Sequence, residues 1–71
     1  MKKGHIHNNI RSLRFTHNEM TQQQLADRVG VTRQTIVSIE KGNYSPSLEL
    51  AFRIARLFDL TIEEVFTFSE D

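Results

Sequence analysis

The stretch Val29 to Gly42, "VGVTRQTIVSIEKG", decides how this chain folds. A cap at Thr32 predicts a helix running to about Lys41, and in it Ile36 and Ile39 fall three apart on one side, which should be buried. The opposite side carries Arg33, Gln34, Val37, Ser38 and Lys41. That stripe of two cations, a carboxamide, a hydroxyl and a small aliphatic group needs an explanation that packing does not supply.

Working outward, capping signals divide the rest of the chain. Thr21 followed by Gln24 is a capping-box pattern, so a helix should start there. Leu25, Ala26 and Val29 recur at helical spacing, and Gly30 supplies the left-handed residue that commonly ends a helix. Ala26 is small where two helices joined by so tight a turn must approach, and Val31 can be buried beneath it. Gly42 is the natural stop of the next helix. In "GNYSPS", Gly42 to Ser47, Pro46 pushes Ser45 out of helical geometry and Ser47 is the N-cap of a fourth helix. Leu48, Ala51, Ile54, Ala55 and Phe58 give that helix a broad apolar stripe, with Glu49, Arg53 and Arg56 turned to solvent. Thr61 with Glu64 repeats the capping box and opens a short last helix carrying Ile62, Val65 and Phe66. Ile10 and Leu13 predict a first helix over residues 8 to 16, capped by Asn8 or Asn9. The expectation is an all-α chain of five helices without a strand.

At 71 residues one small domain is the limit, since such a chain buries only roughly 60% of its unfolded surface. A deep catalytic cleft is not expected. Without cysteine there is no disulfide framework and no thiolate metal site, which suits a reducing cytoplasm. No apolar run is long enough to span a membrane, and "MKKGHIHNNI" lacks the apolar stretch and cleavage site of a secretory signal. Net charge is zero, yet Lys2, Lys3, Arg11 and Arg14 stand at the front without an acid, while the end carries Glu49, Asp59, Glu63, Glu64, Glu70 and Asp71 against Arg53 and Arg56. A polarised neutral molecule still presents a cationic face to a polyanion.

Two short helices joined by "VGVT" form a helix-turn-helix, whose second helix can enter the major groove of B-DNA. Over Ile10 to about Phe66, with "MTQQQLADRVGVTRQTIVSIEKGNYSPSLELAFRIARLF" as its centre, the chain resembles the helix-turn-helix regulators of the Cro and phage-repressor type, the xenobiotic-response-element family, and most of all its small stand-alone bacterial members. The resemblance implies a lambda-repressor-like five-helix bundle that binds double-stranded DNA through helix 3, usually as a homodimer on a palindromic operator. It makes Thr32, Arg33, Gln34 and Ser38 the groove-facing residues, with Val37 able to meet a thymine methyl. Arg33 has the donors for guanine O6 and N7, and Gln34 matches adenine N6 and N7. Gln22, at the first turn of helix 2, takes the family's phosphate-clamping position, and Lys41, Asn43 and Tyr44 match its other backbone contacts. Glu40 falls on the Ile36/Ile39 side, an odd place for a carboxylate unless paired; the resemblance pairs it with Arg14 in a structural ion pair between helices 1 and 3. One departure is "RFTHNEM", which puts an extra residue between helices 1 and 2.

Other readings are weaker. His5 and His7 lack the partners of a metal sphere and are read as part of a disordered or DNA-grazing arm, so neither metal nor cofactor is expected. Serine, histidine and aspartate occur without a nucleophile turn or an oxyanion arrangement, so an enzyme is not expected. Phe58 and Phe66 fit the core period, whereas Phe68 either contacts a second copy or folds back over its own domain. The expected organisation is a flexible arm at 1–7, the DNA-binding domain at 8–68 and an acidic tail at 69–71. The rival class is a protein-interaction module of the same fold, such as an antitoxin or adaptor, using the acidic end.

Overall fold

Four hydroxyl side chains set the helix starts. The structure, a computed structural model, describes residues 4–70. In it Thr21, Thr32, Ser47 and Thr61 each accept a hydrogen bond from the amide three residues on, opening α2 (Gln22–Val29), α3 (Arg33–Glu40), α4 (Leu48–Leu57) and α5 (Ile62–Val65). At Thr21 and Thr61 the Gln24 and Glu64 side chains bond back to the cap amide, completing both capping boxes. The first helix, α1 (Ile10–Thr16), starts two residues later than expected. Its N-cap is Asn9, whose side chain makes no capping bond; the Asn8 Oδ1 accepts from the Ile10 amide instead, at 3.2 Å.

The turn between α2 and α3 is tight. Gly30 has φ +79°, and the amides of Gly30 and Val31 both donate to the Ala26 carbonyl, at 2.9 and 3.0 Å. Only a residue without a Cβ adopts that conformation cheaply. Fully buried Ala26 sits at the crossing. Arg53 is exposed as expected, and from the surface its guanidinium donates to the Val29 carbonyl at 3.3 Å at the end of α2 and pairs with Glu49.

The extra residue after α1 is absorbed by two successive left-handed residues, Asn18 and Glu19, with φ 60° and 52°. They return the chain so that the Met20 amide reaches the Arg14 carbonyl at 2.9 Å. Arg14 therefore keeps its place toward the other helices.

One core holds the helices together: Ile10, Leu25, Ile36, Ile39, Ile54 and Val65 are its largest fully buried side chains, with Phe58 and Phe66 beside them. Each such burial contributes about 1.5–3 kcal/mol relative to exposure. Leu48, expected on the apolar stripe of α4, is 71% exposed, and Leu50 is buried in its place.

The all-α expectation is corrected by two strands. β1 (Gly4–Asn8) and β2 (Phe66–Glu70) pair antiparallel, with Ile6 opposite Phe68 and Gly4 opposite Glu70. "FTFSE" alternates apolar and polar residues, the period of a half-covered strand, but its partner lies at the other end of the chain. At the root of the ribbon Phe66 enters the core, and the Asn8 Nδ2 donates to the Ile39 carbonyl at 2.9 Å. Further out, Ile6 and Phe68 share the same face and are exposed. The Phe68 ring lies where a side chain at position 4 would stand, 1.8 Å from an ideal Cβ, so Gly4 makes room for it. His5, His7, Thr67 and Ser69 take the other face, with His7 Nε2 and Ser69 Oγ 2.8 Å apart. The boundaries expected at residues 8 and 68 fall within these strands; residues 1–3 of the expected arm and 71 of the expected tail lie outside the described residues. Among the described residues, no helix is long and apolar enough to cross a membrane.

Candidate nucleic-acid interface

Glu40 is the centre from which the candidate site is built. The Arg14 guanidinium meets it bidentately, Nε to Oε2 at 2.7 Å and Nη2 to Oε1 at 3.0 Å. The two side chains are only 13% and 10% exposed. A third Arg14 donor, Nη1, bonds the Met20 carbonyl at 2.9 Å. Gln22 Nε2 donates to Glu40 Oε1 at 3.2 Å. One carboxylate thus joins α1, the start of α2 and the end of α3. Planar guanidinium and carboxylate groups meeting in this way form a charge-assisted, geometrically specific bond.

Around that centre lies an open groove of about 700 Å³ between α1, the start of α2 and α3. Arg11, Arg14, Arg33 and Lys41 line it against Glu19 and Glu40, four cations to two carboxylates, in a chain whose total is zero. With Arg14 held by Glu40, Arg11, Arg33 and Lys41 form an exposed cationic rim with no other described residue pairing their side chains.

The outward stripe of α3 divides in two. Arg33, Val37 and Lys41, four apart, border the groove, whereas Gln34 and Ser38 lie outside its lining. Arg33 and Gln34 are exposed and engaged by no other described residue; Val37 and Ser38 are half-buried. The Thr32 hydroxyl is already engaged, accepting from the Thr35 amide at 3.3 Å and lying 3.1 Å from the Thr35 hydroxyl. Beyond α3 the Gly42 amide bonds the Ile39 carbonyl and the Asn43 amide bonds the Ser38 carbonyl, both at 3.0 Å. This closes the helix and leaves Lys41, Asn43 and Tyr44 exposed at its end.

Two features escaped the sequence. Arg11 stands on the α1 side of the groove with Phe15 one turn on, a placement the Arg11/Phe15 spacing on an amphipathic helix could have signalled. The Gln22–Glu40 bond depends on side-chain geometry and leaves no mark in composition or period.

Comparison with known proteins places this geometry. Residues 10–65 match the model of the helix-turn-helix family. An HTH-type transcriptional regulator of Methanocaldococcus jannaschii is 50% identical over 64 residues, covering 90% of this chain and 96% of that protein. Another, of Archaeoglobus fulgidus, is 60% identical over 52 residues, 73% of each chain. The cryptic phage CTXphi transcriptional repressor RstR of Vibrio cholerae is 34% identical over 61 residues, 86% of this chain and 54% of that one. A crystal structure of a Bacteroides fragilis protein superposes with a TM-score of 0.73 over 87% of this chain and 98% of that one; at 21% identity this speaks to the fold alone.

Proposed function

The chain belongs to the Cro/C1-type helix-turn-helix family of transcriptional regulators, which are not enzymes, and from that premise we propose a sequence-specific regulator that reads a palindromic operator as a homodimer. Helix α3 of each subunit enters the major groove, the two copies one helical turn apart. Thr32, Arg33, Gln34, Val37 and Ser38 meet base edges. Gln22, Lys41, Asn43 and Tyr44 hold the phosphates. Its place of action is the cytoplasm, and occupancy of the operator is itself the regulatory event.

The observation that carries this reading is the free, exposed Arg33/Gln34 pair beside a groove rimmed by Arg11, Arg33 and Lys41. Arginine and glutamine at the first turn of an exposed helix have the donor and acceptor geometry of guanine and adenine edges, each good pair discriminating by about 1–3 kcal/mol. The Gln22 amide has a second N–H beyond the one given to Glu40, and a phosphate at the start of α2 would take it.

Selection of duplexes from a random pool should yield an inverted repeat, and two substitutions should then separate. Arg33→Ala relaxes base preference at one position of each half-site. Gln22→Ala weakens every duplex alike. Equal losses on all sequences from both changes would contradict the division of roles, and a selection without any consensus would remove the reading altogether.

A further inference from the structure

Gln22 is held from two sides. Its main chain opens α2 inside the Thr21–Gln24 capping box, and Arg14 Nη1 ties down the segment leading into it by bonding the Met20 carbonyl at 2.9 Å. Its side chain, half-buried at the wall of the groove, gives one Nε2 N–H to Glu40 Oε1 at 3.2 Å. That carboxylate is fixed in turn by the two Arg14 bonds, at 2.7 and 3.0 Å. Side chains from α1, α2 and α3 thus form one connected set. Packing of α1 against α3 accounts for the Arg14–Glu40 pair, but not for the glutamine that joins it.

We propose that Glu40 is a positioning residue for DNA binding: it holds the Gln22 amide so that the second Nε2 N–H is offered to a phosphate. Arg14 cancels the charge that would otherwise repel that phosphate. The inference rests on the regulator reading, in which Gln22 meets the DNA backbone, and adds what presents it. A glutamine side chain that is free to turn loses rotamer freedom when it binds, a cost of about two- to tenfold in affinity. Bonded to Glu40 beforehand, Gln22 has met that cost during folding. Charge balance explains the third member. A bare carboxylate within hydrogen-bond reach of the amide that a phosphate approaches would push the phosphate away, and the bidentate guanidinium neutralises it at its own oxygens.

The test is a double-mutant cycle on duplex affinity, read by fluorescence anisotropy with a labelled mixed-sequence duplex. Arg14→Met/Glu40→Leu replaces the ion pair by an apolar pair and leaves Gln22 in place without its acceptor. This variant should bind about two- to tenfold more weakly than wild type. Gln22→Ala should then cost less in that background than in wild type, by the same factor. A purely structural ion pair predicts instead that the two losses multiply. That result, or an apolar-pair variant that binds like wild type, overturns the proposal. A second measurement needs no variant. In the free wild-type chain, NMR relaxation of the side-chain amides should show Gln22 Nε2 ordered and Gln34 Nε2, engaged by no other described residue, averaging freely. A Gln22 amide as mobile as that of Gln34 overturns the proposal while leaving the regulator reading intact. A wild-type chain that binds no duplex even at low salt removes the regulator reading itself, and with it the phosphate that Gln22 is positioned to meet.

Discussion

At the scale of single residues the most consequential side chain is Glu40. It sits beside the buried Ile36 and Ile39, accepts from Arg14 twice and from Gln22 once, and is only 10% exposed. Removing one partner leaves a charge stranded in a site that water barely reaches. Glu40→Ala and Arg14→Ala should each cost about 3–5 kcal/mol in urea unfolding, while a well-packed apolar pair at both positions should recover most of it. A double-mutant cycle that gave additive losses would mean the two groups do not couple. The position of Glu40 on an apolar face was legible in the sequence, and its partner came with the family resemblance. What the sequence did not hold was Gln22 on the same carboxylate, because hydrogen-bond partners across a helix crossing follow from rotamers and not from spacing.

At the scale of elements, every helix after the first announced itself by its cap, since a hydroxyl three residues before a free amide is a local signal. Thr32 tests this. Thr32→Ala should destabilise by about 1 kcal/mol and Thr32→Gly by only a few tenths, measured by the shift of the denaturation midpoint at constant slope. Equal effects of the two would show that the hydroxyl carries no capping energy at the start of α3. The failures have physical causes too. Leu48 and Leu50 both stand at the first turn of α4, where one apolar position is as good as another until the neighbouring helices choose. The ribbon was missed because β1 and β2 are five residues each and stabilise nothing alone; bonds such as His7 to Ser69 join positions 62 residues apart.

Across the whole molecule the two aromatic residues of β2 mark where the shared core ends. Phe66 is 8% exposed and Phe68 63%, two residues apart on one face. Phe66→Ala should therefore cost about 3–5 kcal/mol of global stability, and Phe68→Ala much less, since most of its ring never leaves water. Thermal unfolding of both variants checks this, and a large loss for Phe68→Ala in a monomeric sample would mean that the ring covers its own domain. Charge is likewise a property of arrangement: a total of zero coexists with a cation-rimmed groove because the carboxylates gather elsewhere or are spent on internal pairs.

Gly4 and Glu70 are the outermost pair of the ribbon among the described residues, so the stretch from 4 to 70 is a loop latched by five residues on each side. Dyes placed on His5 and Ser69, the next pair inward on the face away from the Phe68 ring, would brighten or dim when the latch frays, whether or not α3 keeps its shape. Breathing of the latch can thus be timed separately from melting of the helices it encloses.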